Sequence, residues 1–385
     1  MTTSNGRRGD ADVVVIGGGI AGVAAAYALC THPRRPRVHL VETEAQLAHH
    51  TTGRSAAQLI VNYGTAPTKA LTVASLPFFR HTPDGLVDAP LLTERGVLSL
   101  ATDDQDDVVA ANVAEGRAAG ARIELLDPDQ ALDLVPLLRP DAFTQAVYEP
   151  ESADIDVAGL HQAFVRGVRA AGGVIETSRA VTDLTPTADG WRCDTTDGPL
   201  EAAVVVNAAG AWGDVVAGWA GVRPVGLQPR RRTAFMVNAT GGGRLDEPLA
   251  CEITHRWYIK RDGAQYLCSP ADQTPSEPCD AKPEELDVAM AIDRINAATT
   301  LDIRSVRSAW AGLRTFAPDE TMVLGPDPDR PAFVWCVGQG GTGIQTAPSA
   351  GRLVADLSLD GRPGLTFGGV SLDLAEAFGA GRLRS

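Results

Sequence analysis

The sequence is short of positive charge: 34 lysines and arginines face 48 aspartates and glutamates, a formal net charge of −14. Neutralising phosphates needs a basic surface, so no nucleic-acid partner is expected, and an acidic surface mainly aids solubility. Cysteines are few and unpatterned. Cys30, Cys193, Cys251, Cys268, Cys279 and Cys336 form no CxxC pair and have no histidine at metal-ligand spacing. That excludes a zinc ribbon, and the expectation is free thiols in a reducing cytoplasm and no metal. Met1 to Asp12 lacks the apolar core of a secretion signal. One uncharged run, Val13 to Cys30, carries the small-xxx-small pair Gly18 and Gly22 that a membrane helix would share. Its β-branched start and clustered glycines fit a strand, a tight turn and a helix, so no integral membrane segment is expected. Internal repeats and low-complexity tails are missing as well.

What is present is enough chain for two joined domains: 385 residues, 44% hydrophobic and 21% charged. A βαβ unit over 12–42 is followed by a Gly/Ser/Thr-rich loop at Thr51 to Ala57. Helical periodicity returns at Thr68 to Phe79, and a strand is expected at Gly96 to Ala101. Asp104 to Ala119 and Asp127 to Leu138 read as surface helices. Asp156 is a good N-cap for a helix whose apolar face is Val157, Leu160, Phe164 and Val168, stopped by Gly172 and Gly173. Strands follow at Val174 to Glu176, Trp191 to Thr195 and Ala203 to Val206. From Pro224 to about Ala311 the strands are short and amphipathic, with turns at Gly241 to Gly243 and Asp262-Gly263 and a helix from Pro283 to Ala298. This is the pattern of an antiparallel sheet capped by helices. The end of the chain returns to strand–glycine–helix: Phe333 to Val337, Gly338 to Gly343, Ala347 to Leu357. The fold expected is therefore α/β plus α+β, a discontinuous Rossmann-like nucleotide domain (1–78, 150–218 and 322–385) interrupted by an antiparallel-sheet substrate domain (79–149 and 219–321).

The run Val13-Val14-Val15-Ile16-Gly17-Gly18-Gly19-Ile20-Ala21-Gly22 fits GxGxxG at Gly17, Gly19 and Gly22. The three glycines permit the tight turn, the approach of backbone to a pyrophosphate and close helix–strand packing. The helix N-terminus at Ile20 and Ala21 offers unpaired N–H groups to phosphate. Glu42, twenty residues beyond Gly22 and at the end of strand Val38 to Val41, can accept hydrogen bonds from ribose hydroxyls, and it repels a 2′-phosphate. A lone fingerprint would not separate FAD from NAD. Three further small-residue elements do: Thr52-Gly53-Arg54-Ser55-Ala56, Asn207-Ala208-Ala209-Gly210-Ala211-Trp212, and Gly338-Gln339-Gly340-Gly341-Thr342-Gly343, the last at the mouth of a helix whose positive end would favour a reduced, anionic isoalloxazine. In this order they point to FAD.

These stretches, with Ala57, Trp310-Ala311-Gly312-Leu313-Arg314 and Gln339 to Thr346, resemble the D-amino-acid oxidase and glycine oxidase superfamily from about Asp12 to about Leu365. Within it the chain most closely resembles FAD-dependent D-arginine dehydrogenases. The resemblance implies a non-covalent FAD held by Gly17, Gly19, Ile20, Ala21, Gly22, Glu42, Thr51, Thr52, Arg54, Ser55, Ala56, Ala57, Val181, Asn207, Ala208, Ala209, Gly210 and Trp212. Gly340, Gly341, Thr342, Gly343, Ile344, Gln345 and Thr346 complete that set. It also implies a substrate carboxylate held by Arg232, Arg314, Tyr63 and Tyr258. Guanidinium suits that role on its own chemistry, because it pairs with carboxylate through charge-assisted hydrogen bonds.

The departures bear on the substrate. Where the arginine dehydrogenases place two acids around a guanidinium side chain, this chain has Val97 and His255. A family histidine is Gln58, a threonine is Ile60, and a tyrosine near the flavin is Thr342. A cation would find no counter-charge at those positions. Leu59, Ile60 and Val97 suggest an apolar slot. His255 reads equally as a packing residue or as a ligand for a second anionic group. The expected chemistry is oxidation of a CH–NH bond beside a carboxylate, by hydride transfer to the flavin, the imine then hydrolysing to a 2-oxo acid plus ammonia or an amine. A D-amino acid with a neutral, apolar side chain leads. An N-substituted glycine releasing glyoxylate, D-arginine or D-lysine, and a non-catalytic dinucleotide-binding protein are the alternatives. No residue is an obligatory base, although Tyr63 is a candidate for taking the ammonium proton. Oxygen or a quinone-like acceptor would reoxidise the flavin.

Overall fold

The computed structural model describes residues 10–239, 244–364 and 375–384. The turn expected at Gly241 to Gly243 and the expected end of the family resemblance at Leu365 lie outside them. Among the described residues no helix is long and apolar enough to cross a membrane.

The uncharged run folds as strand Asp10–Ile16 and helix Ile20–Thr31. Strand Asp10–Ile16 lies between two parallel neighbours, Val38–Val41 and Leu200–Asn207. A strand with parallel neighbours and helices on its faces is buried on both sides, which is why Val13, Val14 and Val15 read as a continuous apolar run. Val174–Glu176 extends the sheet beyond Val38–Val41. On the other side the first half of Leu200–Asn207 pairs with Gly190–Thr195, which pairs with Val181–Thr187. Its last residues pair in parallel with Phe333–Val337, and Val323–Pro326 lies against that strand. The eight strands thus come from three separate stretches of chain, as the returning strand–glycine–helix pattern implies.

A second, nine-stranded sheet runs in the order Thr274–Pro275, Gln228–Asn238, Gln265–Ser269, Tyr258–Asp262, Leu249–Glu252, Val97–Ala101, Gln145–Glu149, Glu124–Leu126, with Ser308–Phe316 also along Gln228–Asn238. It is not wholly antiparallel. Leu249–Glu252 runs parallel to Val97–Ala101, because these two strands come from distant segments and no hairpin forces their direction. Gln58–Leu59, Ala153–Ile155 and Leu92–Glu94 form a small third sheet.

Local expectations hold with shifted ends. Asp156 caps helix Val157–Ala170, its carboxylate accepting from the Gly159 N–H at 2.8 Å. The helix expected over Asp127 to Leu138 is shorter, Pro128–Leu134, because Pro136 disfavours helical backbone at Val135. The last long helix begins earlier than its apolar period, at Gly343, and runs to Asp360. That places Gly343, Ile344, Gln345 and Thr346 on its first turn.

Candidate active site

The glycine fingerprint makes a turn that no other residue would permit. Gly17 has φ +110°, and a Cβ there would press on the Ala208 carbonyl oxygen at 2.5 Å. A Cβ on Gly22 would collide with the Gly17 carbonyl. Around this turn the chain builds a cavity of about 560 Å³ that reaches from Glu42 to Arg314 and Gly341, inside the range of cofactor-sized sites. Of the cofactor residues expected from the sequence, Gly17, Gly19, Ile20, Ala21, Glu42, Thr51, Thr52, Arg54, Ser55, Ala56, Val181, Ala208, Ala209, Gly210, Trp212, Gly340, Gly341, Gly343 and Ile344 line it.

Several of these have work within the protein. The Glu42 carboxylate accepts from the Gly18 N–H at 2.6 Å and the Glu44 N–H at 2.9 Å, which stiffens the phosphate turn and still leaves it lone pairs for a ribose. Thr52 Oγ1 accepts from the Ile20 N–H at 3.0 Å, so one first-turn donor of the helix is already satisfied. Thr51 Oγ1 donates to the Leu313 carbonyl at 2.7 Å. The Arg54 guanidinium is spent on the carbonyls of Ala281 and Ala311 and on Asp280, tying the loop to strand Ser308–Phe316 rather than reaching freely into the cavity.

Gly22, Ala57, Asn207, Thr342, Gln345 and Thr346 stand outside the lining. Asn207 is fully buried and holds its own loop through Gly213 O and the Ala209 N–H. Thr342 donates to Gln339 O, and its own carbonyl accepts from Thr346 Oγ1. The sequence reading did not anticipate Glu44, His49, His50, Arg179, Trp219 or Cys279 in the lining. His50 packs on Trp212 with ring centroids 4.9 Å apart, a contact that no local pattern announces.

The shape, the glycine turn and the donors at the first turn of helix Ile20–Thr31 fit an FAD. The dinucleotide end would rest on Gly19, Ala21 and Glu42, and the ring end would lie towards Gly340, Gly341 and Arg314.

A second cavity, of about 130 Å³, opens beside that far end. Tyr63, Arg232, Tyr258, Arg314, Gln58, Ile60, Val97, His255, Gln345 and Ala57 all line it; Thr342 does not. Strand alternation sorts the three consecutive arginines. Arg231 points to the opposite face, where Glu284 and Asp287 hold it. Arg230 is held by Gln273 and Glu320 and lies over Phe316. Arg232 donates its Nε to the Asp272 carbonyl at 2.8 Å, which orients the guanidinium and leaves its terminal nitrogens free of described partners. Arg314 sits opposite Arg230, with Arg232 opposite Gly312, so Arg232 and Arg314 are diagonal neighbours on one face. Arg314 donates to the Tyr63 hydroxyl at 3.0 Å.

Two half-buried cations side by side perturb their titratable neighbours. Burial first, then the like charge of Arg314, brings Arg232 down to about 10. The charge of Arg314 pulls the Tyr63 phenol below its ordinary value, and burial opposes that. His255 lies edge-on to Tyr63, with ring centroids 5.9 Å apart, and it is exposed while lining the cavity. Desolvation, then Arg232 and Arg314, hold its imidazole below the ordinary histidine value. The neutral ring is thus favoured, which suits a second anion-binding charge poorly. Its backbone is left-handed, φ +59°, with its N–H donating to Glu252 O at 2.8 Å.

The expected apolar slot is only half realised. Leu59 points away into the core and is 1% exposed, because alternation puts it on the face opposite Gln58 and Ile60. Ile60 and Val97 do line the cavity, but so do Asn62, Ser99, Asn112, Glu149, Cys251 and Gln273, which the sequence reading missed. Ser99 was within reach of the strand pattern, two residues from Val97. Glu149 was not, because its place depends on pairing. Gln345 clamps the Ile60 backbone, accepting from its N–H at 3.0 Å and donating to its carbonyl at 3.1 Å.

Comparison with known proteins gives a consistent answer. A family model described as FAD dependent oxidoreductase matches residues 12–357. The chain is 29% identical to FAD-dependent oxidoreductase domain-containing protein 1 of Mus musculus, over 91% of this chain and 82% of that one. It is 26% identical to the glycine oxidase of Geobacillus kaustophilus (strain HTA426), over 90% of this chain and 92% of that one. A crystal structure of glycine oxidase from Geobacillus kaustophilus superposes with a TM-score of 0.84 at 24% identity, covering 97% and 98% of the two chains.

Proposed function

Because the chain belongs to the FAD-dependent oxidoreductase family, we propose that it oxidises the CH–NH bond of a small amine that carries a carboxylate. The observation that carries this reading is the pair Arg232 and Arg314, two guanidiniums on one strand face beside the cofactor cavity, with, among the described residues, no acid in ion-pair contact with either. Such a pair requires an anion, and a carboxylate accepts paired N–H donors from it. We assign the cofactor to 1–78, 150–218 and 322–385, and the substrate to 79–149 and 219–321.

Bound FAD supplies the two-electron acceptor. The residues of the chain do the rest. Arg232 and Arg314 fix the carboxylate, Tyr63 and Tyr258 close around it, and Gln345 holds the Ile60 loop that carries Tyr63. Anchoring at two points restricts the orientation of the adjacent C–H and N–H, which is a large share of what such a site contributes. Tyr63, with its phenol acidified by Arg314, and the neutral His255 ring both suit a proton leaving the substrate ammonium. The imine then hydrolyses to a 2-oxo acid plus ammonia or an amine.

Two substrate types fit. The first is a D-amino acid whose side-chain stem lies against Ile60, Val97 and Leu249. The second is an N-substituted glycine, favoured by the likeness to glycine oxidase. The resemblance to D-arginine dehydrogenases does not itself supply a counter-charge, since Val97 and His255 replace their acids. The proposal extends to oxygen or a quinone-like compound as acceptor and to the cytoplasm as location. The test is anaerobic bleaching of the flavin by a panel of D- and L-amino acids and N-alkylglycines. At least one class should reduce it, and no reduction by any carboxylate-bearing amine would reject the reading.

A further inference from the structure

Anchoring a carboxylate leaves part of the second cavity unused. Its floor is one face of the nine-stranded sheet, where alternation sets Val97 and Ser99, Val147 and Glu149, Leu249 and Cys251 side by side. Val97 and Glu149 are directly opposite on antiparallel strands, so their Cβ atoms are about 4.5–5.5 Å apart. The position where the arginine dehydrogenases carry an acid is thus adjacent to an acid supplied by a different strand. Among the described residues that line this cavity, Glu149 is the only carboxylate, and it shares the space with Arg232 and Arg314.

Glu149 is 6% exposed. Its Oε1 accepts from the Val61 N–H at 2.9 Å and the Asn62 N–H at 3.5 Å. The buried Ser152 hydroxyl lies near enough to favour the charged Glu149 carboxylate, but makes no hydrogen bond of good geometry to it. Lys69, whose charge reaches Glu149, is committed by hydrogen bond to Asn62 and Glu115, at 2.9 and 2.7 Å. A buried carboxylate with backbone donors on one oxygen and, among the described residues, no ion-pair partner is costly, and a donor brought by a ligand recovers part of that cost. Burial raises its pKa, against the opposing pull of the Val61 and Asn62 N–H groups, the Ser152 hydroxyl and the charge of Lys69.

Resting on the carboxylate-anchor reading above, we propose that Glu149 determines specificity by selecting substrates with a second, distal nitrogen that donates hydrogen bonds. The aliphatic stem of such a substrate lies along Ile60, Val97 and Leu249, its carboxylate at the arginines and its terminal amine at Glu149. The site therefore recognises a carboxylate–amine with an additional amino group, on the side chain or on the N-substituent, rather than a purely hydrocarbon one.

The test uses the FAD-loaded enzyme and unreactive ligands, read as perturbation of the flavin absorbance band. Butanoate, pentanoate and hexanoate are compared with 4-aminobutanoate, 5-aminopentanoate and 6-aminohexanoate. At least one amino acid of the series should bind tenfold or more tightly than its parent. In Glu149→Gln that preference should reverse. Two backbone N–H groups keep the amide oxygen at the Oε1 position, so the NH₂ turns into the cavity and a donor meets a donor. Parent acids should bind this variant within about twofold of wild type, and its flavin content should be unchanged. Parent acids that bind while no amino derivative binds better, or a preference that survives in Glu149→Gln, overturn this inference alone. Parent acids that do not bind at all overturn the carboxylate anchor, and the inference falls with it.

Discussion

Replacing Arg314 with leucine removes one of the two charges that define the site while keeping most of the side-chain volume. Arg314 donates to Tyr63 at 3.0 Å, lowers the Tyr63 phenol as its leading influence and depresses Arg232. Three consequences follow from that geometry. A substrate carboxylate loses charge-assisted hydrogen bonds that contribute roughly 1.5–3 kcal/mol each, so each lost bond lowers kcat/KM by about 10- to 150-fold. The Tyr63 phenol returns towards its ordinary value, so any alkaline limb of the pH profile that reports it moves to higher pH. The mutual repulsion with Arg232 disappears, so the variant should be no less stable than the parent and should keep its yellow colour. Steady-state kinetics on the best substrate of the amine panel, the carboxylate dissociation constant from flavin perturbation and a melting curve measure all three. Unchanged kcat/KM together with unchanged carboxylate affinity would show that Arg314 is no anchor and would refute the reasoning.

Gly22→Ala should abolish FAD retention or folding although Gly22 does not line the cavity, because its Cβ would collide with the Gly17 carbonyl; a yellow variant of parental melting temperature would contradict that packing. His255 should titrate below about 6.5 in the ligand-free enzyme, since burial, Arg232 and Arg314 all lower it. Its contribution to stability is therefore lost as pH falls from the ordinary histidine value through the lowered one. A bound carboxylate should raise that pKa by offsetting the arginines, and histidine NMR titration with and without ligand decides. Acid precipitation should release the flavin into the supernatant, as non-covalent binding requires. Colour kept in the pellet would instead implicate a side chain lining the cavity, such as His50 or Cys279.

Strand Asp10–Ile16, the glycine turn, helix Ile20–Thr31 and Glu42 were legible in the sequence because each depends on residues close in the chain. A β-branched run, a glycine with positive φ and a cap act through their own backbone. The identity of the arginines proposed as anchors was legible only through resemblance to other sequences, since three arginines in a row are equivalent until a strand direction and a facing strand exist. Tertiary structure separated them, giving Arg231 to Glu284 and Asp287, Arg230 to Glu320, and Arg232 to the cavity. It likewise turned Leu59 into the core and brought Glu149 opposite Val97. Strand register decides such neighbours, and register is set by pairing between segments far apart in the chain. The chemistry of each residue is therefore local, whereas the company it keeps at the site is a property of the folded sheet.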